Sequence, residues 1–534
     1  MVSALVILQL LPLLGALLVW LLPRILASLR QPDSSRRGGF ETRPPDSPRQ
    51  LDSSRQLDSP RQLDSPRQGV LAGWLAILFA LAQFVLTLSL MPNWGVAQLP
   101  FLGVTLSFCF DPLAATALLV ISGATVAASL YSLRSKDAAG APARGSAFYA
   151  LILLVLFGTS GVALARDLIQ FYLFWEAMLI PAWFLVVLWN EDPAKVKATG
   201  LKFFIITHIG AVLMLASILW IYSLAGTTNM DLLITFLPSL PLATLAPMTL
   251  LFLMGFVVKL AIFPFHTWLP DAYTSAVMPV TLVLVGVLTN IGIYGFARFL
   301  PFFPSNAAAA LSLPLLIAAV ATMFYGGIQA LVEKNVKRIV AYSSISQMGY
   351  VLFGFATLTA FGFSGSILNL YNQAATKLAL FMALGMVAEA AGTWQIDQLG
   401  GWAKRLPLAA VVAVTAMLSL VGAPPTFGFW PELLTFTGGF ASGQILLSVL
   451  ALVASVLSVA YALRLIRFVF YDPLKPIGIT GTDLKSVPVI LARTPWTGNL
   501  ALAACFLILL FFGVYPAPAY QLVQGALAFL GLGG

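Results

Sequence analysis

Long apolar runs dominate the chain, and short polar segments interrupt them at intervals that suit membrane crossing. A helix needs about 20 apolar residues to traverse the hydrocarbon core. Fourteen segments meet that length: roughly 3–23, 69–90, 106–132, 147–165, 168–189, 201–224, 244–263, 277–299, 308–331, 338–359, 364–389, 407–436, 443–470 and 497–521. The first does not read as a cleaved signal, since no charged residue follows Met1 and no small-residue cleavage site stands out. The pattern predicts an all-α polytopic membrane protein.

Two of these segments are disrupted. Pro264 stands near the end of the seventh, and Gly422, Pro424, Pro425, Gly428 and Pro431 crowd the twelfth. Proline removes a backbone donor and breaks a helix. Broken helices at membrane depth line cavities and ion sites. Helices 4–8 and 9–13 number five each, and an odd number per unit forces opposite topology. The chain therefore reads as two inverted five-helix repeats with broken helices 7 and 12.

Composition agrees: 60% of the 534 residues are hydrophobic and 9% are charged, against roughly 25% charged in a soluble domain. A soluble enzyme and a disordered chain are both excluded. Cys109 and Cys505 form no CxxC pair, so no disulfide or metal framework is expected. No nucleotide-binding glycine loop or nucleic-acid-type basic run is visible.

The charges sort by loop. With the N-terminus outside, 25 of the 29 Lys and Arg fall in inside loops, Arg166 and Arg298 fall outside, and Lys259 and Lys377 lie within helices. That split is a strong positive-inside signal, and it places both termini outside. Residues 46–68 repeat a DSPRQL-like unit that cannot build a core, and they read as a disordered inside loop. Residues 472–495 form a second polar inside loop.

Ionisable residues left inside helices become informative, because a charge at the bilayer centre costs roughly 2.5–3.5 kcal/mol even on a lenient scale. Four stand out: Glu176, Lys259, Lys377 and Glu432. Glu176 across from Lys259 would make a switchable proton site; a carboxylate merely satisfied by its neighbours is the alternative. Asn369, Gln373 and Lys377 are four residues apart and share a helix face. That polar stripe suggests a wet lining, with interhelical hydrogen bonding as the alternative. His266 and Asp271 in FHTWLPDA fit proton uptake or a helix cap equally. His208 reads as a packing histidine.

These segments resemble the antiporter-like subunits of complex I-type NAD(P)H–quinone oxidoreductases, most closely the M-type (chain 4) branch. The resemblance rests on WEAMLIPAWFL around Glu176, KFFIITHIGAVLML from Lys202 and KLAIFPFHTWLPDAY around Lys259. It continues in KNVKRIVAYSSISQMGYVLFG from Lys334, LGGWAKRLP, and GFWPELLTF around Glu432. It implies an antiporter-like proton-translocating domain over 106–470, preceded by two helices in 1–105 with the low-complexity loop at 31–69. A polar loop and a last helix follow in 471–534. It also implies a chain without a redox centre, whose complex uses a quinone, iron–sulfur clusters and possibly FMN and NAD(P)H in other subunits. The partners would be sister antiporter-like subunits in a bacterial plasma membrane or a thylakoid.

The resemblance makes Glu176 and Lys259 a first charge pair, Lys377 a central relay and Glu432 the last carboxylate. Three positions depart from it. Asn290 stands where lysine is usual, Gln347 where histidine is usual, and Gln373 where histidine is common. Amides order water but do not titrate. A multisubunit cation/proton antiporter subunit, a membrane-bound hydrogenase subunit and a structural subunit that no longer pumps are the other readings.

Overall fold

The computed structural model describes residues 2–29, 66–101, 104–133, 145–191, 194–473 and 496–532. The repeat at 46–68 and the polar loop at 472–495 fall largely outside these; Pro66, Arg67 and Gln68 open a helix. The order is α1 (Val2–Leu29), α2 (Pro66–Leu90), β1 (Gly95–Phe101), β2 (Val104–Phe110), α3 (Pro112–Ser132), α4 (Ser146–Leu164), α5 (Leu168–Leu188) and α6 (Val196–Ala225). Then come α7 (Met230–Phe236), α8 (Leu242–Lys259), α9 (Trp268–Ser275), α10 (Met278–Val283), a π-turn at Leu284–Leu288, α11 (Asn290–Phe299), α12 (Ser305–Val332), α13 (Val336–Ala356) and α14 (Ala360–Ala391). The remainder is α15 (Trp402–Arg405), α16 (Pro407–Leu420), α17 (Phe429–Ala441), α18 (Ile445–Ile466), α19 (Trp496–Val514) and α20 (Ala517–Phe529).

Among the described residues, thirteen helical segments are long and apolar enough to cross a membrane. The expected twelfth span is not one of them, because it divides into α16 and α17. The expected third span also starts late. Residues 104–110 form β2, paired antiparallel with β1. The helix begins only where Asp111 caps it, accepting from the Ala114 N–H at 2.9 Å, with Pro112 in the first turn. Only Asp111 separates the mostly apolar β2 from α3, and read as a single residue within one apolar run it hid the strand.

The repeat is visible at atomic level. Ala261 in the first break and Gly422 in the second both have positive φ, 54° and 68°. Around them the backbone hydrogen bonds match position for position, from 261 to 422. Leu260 donates to Phe256 and Val421 to Met417; Ala261 to Val258 and Gly422 to Ser419; Ile262 to Val257 and Ala423 to Leu418; Phe265 to Ile262 and Thr426 to Ala423. Cis peptides precede Pro264 and Pro425 alike. The helix pairs correspond as well. A Cβ on Gly158 of α4 would lie 2.5 Å from the Met178 nitrogen of α5, and one on Gly326 of α12 would lie 2.5 Å from the Ser346 nitrogen of α13. With no Cβ at either glycine, each pair of backbones approaches closely, a packing common between membrane helices.

This register refines the sequence reading of the breaks. Glu432 corresponds to Asp271, beyond its break, whereas Lys259 corresponds to Leu420, before its break. Pro431 lies in the first turn of α17, where its missing N–H is one of the helix's free donors, so it begins a helix and does not break one.

The basic side chains gather as their loops predict. At the C-terminal end of α5, Lys337 reaches the Ala276 carbonyl at 2.6 Å and Glu191 at 3.4 Å. Nearby, Asp271 takes Lys202 at 2.7 Å and Arg338 at 3.1 Å. At the opposite end, Arg166 pairs with Asp231, and Arg298 grips both oxygens of the buried Asp111 at 2.8 and 2.7 Å. The ring of Phe529 on α20 lies beneath both arginines.

Candidate functional site

Lys259 is the last residue of α8, and the break after it frees the chain to turn away. Its side chain is 2% exposed, and its Nζ has no hydrogen-bond partner. Its Nζ sits 5.6 Å from the ring centroid of Trp175 on α5, and Gly292 of α11 packs against its stem. An indole face attracts a cation, but it does not replace an anion.

Glu176 follows Trp175 and acts on Lys259 electrostatically. The two form no direct ion pair. The carboxylate instead meets the Nε2 of His208 on α6 at 3.1 Å. His208 Nδ1 lies 2.8 Å from the Phe204 carbonyl one turn earlier, and its ring stacks on Phe204 at 3.8 Å. Sequence reasoning missed this contact. A lone histidine on an apolar helix carries no local signal, and its partner lies 32 positions away on another element.

The second half holds a continuous polar cluster. Lys377 on α14 is 1% exposed, and its Nζ donates to the Ser343 hydroxyl at 2.8 Å. One turn earlier, Gln373 donates to Gln347 on α13 at 3.1 Å and to Asn369 at 3.5 Å. Gln347 donates to the Leu420 carbonyl at 3.0 Å, one of those freed where α16 ends. It is also within hydrogen-bonding reach of Glu432 and Tyr461. Asn372, Thr376 and Ser419 interlock beside it, and the Ser419 hydroxyl accepts from Gly428 N–H across the break. Asn369 Nδ2, Gln373 Oε1 and the Tyr350 hydroxyl remain buried without protein partners. Such groups are ordinarily satisfied by internal water.

Glu432 reaches into the second break. Its Oε2 comes so close to Gly422 that a Cβ there would lie 2.1 Å away. The structure therefore brings together Gln347, Asn369, Gln373 and Glu432 from three helices. Asn290 stands apart. Its Nδ2 donates to the Val285 and Gly286 carbonyls at 3.2 and 2.9 Å, bridging the π-turn of its own helix. Asp271 is held by Lys202 and Arg338. His266 packs on Tyr325 at 4.4 Å, with its Nδ1 unpartnered.

With this geometry in hand, comparison with known proteins is decisive. A family model for the transmembrane part of NADH:quinone oxidoreductase and Mrp antiporter subunits matches residues 165–458. The chain belongs to that family. The matched span contains the whole of both breaks and the four candidate residues Glu176, Lys259, Lys377 and Glu432. Among members of this NADH:quinone oxidoreductase/Mrp antiporter family, F(420)H(2) dehydrogenase subunit M of Methanosarcina mazei is 32% identical over 442 residues, covering 80% of this chain and 84% of the relative. NADH-quinone oxidoreductase subunit M of Rhodobacter capsulatus is 35% identical, covering 69% and 72%. In solved structures, a chain of respiratory complex I from Thermus thermophilus superposes with a TM-score of 0.77 at 27% identity, covering 99% of this chain and all of that one.

Proposed function

We propose that this chain is a membrane-arm subunit of a complex I-type quinone oxidoreductase, and that it moves protons through Glu176, Lys259, Lys377 and Glu432. The supporting observation is the buried Lys259 nitrogen at the first break, which has no hydrogen-bond partner and lies within electrostatic range of Glu176. A cation held this way is stable only while its surroundings supply negative charge, so its proton is exchangeable. The clustered amides and buried unpartnered groups of the second half would hold the water that connects Lys377 to Glu432. No group in the chain is assigned redox chemistry. The quinone, the iron–sulfur clusters and any FMN or NAD(P)H would belong to partner subunits in a bacterial plasma membrane or thylakoid, with both termini outside.

A subunit of a cation/proton antiporter is the second reading. The family spans both kinds of complex, and Lys377 suits either. Co-purification in mild detergent separates them: quinone-reductase subunits support the first and antiporter subunits the second. The mechanism is tested by Glu176→Gln in the assembled complex. Quinone reduction with fewer protons moved is expected. Unchanged pumping removes Glu176 from the path.

A further inference from the structure

The Glu176–His208 contact carries an inference that rests on the function just proposed and deepens it. A carbonyl oxygen only accepts, so the 2.8 Å contact with Phe204 places a hydrogen on His208 Nδ1. In the neutral ring Nε2 is then a bare acceptor. It faces a carboxylate oxygen at 3.1 Å. Two bare acceptors at that distance repel, so a proton lies between them, on nitrogen or on oxygen. In both arrangements the pair is electrically neutral.

Neutrality suits the site. Glu176 is the ninth residue of α5, about 12 Å from its start. Both side chains are about one-fifth to one-quarter exposed, on a face that carries Leu173, Ile180, Ile205 and Ile209. A net charge there is costly. The other groups acting on the pair are Tyr172, one turn earlier on α5, and Lys259 on α8. Asp271 on α9 is taken up by Lys202 and Arg338, and Asp167 caps α5 and accepts from Thr228.

We propose that Glu176 and His208 form one proton-holding pair that loads Lys259, which makes His208 a proton-carrying residue of the translocation site. The transfer balances. The shared proton leaves the pair and joins the Lys259 amine, so a neutral pair beside a neutral lysine becomes a carboxylate, a neutral imidazole and an ammonium. The sum of charge is zero before and after. Reprotonation of the pair removes the counter-charge and releases the lysine's proton onward.

The test uses the assembled complex in liposomes, reading protons moved per quinone reduced across pH. His208→Gln keeps a donor toward Glu176, and His208→Phe keeps the stack on Phe204. A packing histidine would tolerate at least one of them, whereas a titrating one is replaced by neither. Both variants are expected to slow proton transfer through this subunit by roughly a hundredfold or more, the range for positioned acid–base groups, so that fewer protons move per quinone, and to flatten the pH dependence. Wild-type pumping and pH profile in either variant, with Glu176→Gln uncoupled, overturns this inference and leaves the proposed function standing. Wild-type pumping in Glu176→Gln removes Glu176 from the path and overturns this inference with it. Should neither histidine variant assemble, infrared titration of the wild-type complex against Glu176→Gln decides. The Glu176 carboxyl and the His208 ring must titrate together; independent titration refutes the pair.

Discussion

The two breaks provide a matched pair of perturbations, Gly422→Ala and Ala261→Gly. Both positions adopt the left-handed backbone, and the hydrogen bonds around them correspond. The conformation costs an alanine roughly 1 kcal/mol, a cost the native Ala261 already bears. An alanine also restricts the unfolded chain relative to glycine, an opposing contribution of about 0.4–1 kcal/mol. The backbone part of either exchange is therefore small, and stability should change by less than about 1 kcal/mol on that account. The side chain separates the two. At Gly422 a Cβ would lie 2.1 Å from Glu432 Oε2, whereas ordinary contact begins at 3.4 Å, so the carboxylate must retreat by more than 1 Å. A displacement of that size at a reacting group can cost about a hundredfold. Gly422→Ala should therefore assemble, reduce quinone and move protons at least about tenfold more slowly, while Ala261→Gly pumps normally. The assay is quinone-driven acidification of liposomes carrying the assembled complex. Normal pumping in Gly422→Ala refutes the claim that the position of Glu432 matters.

Asp111→Asn keeps the cap acceptor but leaves Arg298 buried without its counter-charge. It should cost about 3–5 kcal/mol in thermal unfolding in detergent, and adding Arg298→Met should recover more than half. Gly326→Ala should impair assembly, because its Cβ would lie 2.5 Å from backbone. Gly327→Ala, which meets only the Leu457 side chain at 3.1 Å, should assemble; equal yields from the two would refute the close approach.

How much was readable from sequence depended on the range of the interaction. The spans were legible because each is a long apolar run, and the breaks were legible because proline and glycine act locally. The β1–β2 hairpin was not, since β2 is mostly apolar and only the single Asp111 divides it from the helix that follows. Among the candidate site residues, Asn369 and Gln373 of the α14 stripe meet Gln347 of α13 in Glu432's surroundings. Asn290 does not join them, because its amide reaches carbonyls opened by a π-turn that no residue pattern announced. The sequence did not show that His208 meets Glu176, nor that Glu176 and Lys259 make no direct ion pair. Which side chains meet across α5, α6 and α8 is decided by how the helices rotate against one another, and a single sequence does not encode that rotation locally.

The most direct test is the number of protons moved per quinone reduced by the assembled complex carrying Lys259→Met. Methionine keeps the length and burial of the side chain and removes the titratable nitrogen. Assembly and quinone reduction should persist while the proton yield falls. An unchanged yield would contradict this, because the buried lysine would then be structural and the path would lie elsewhere.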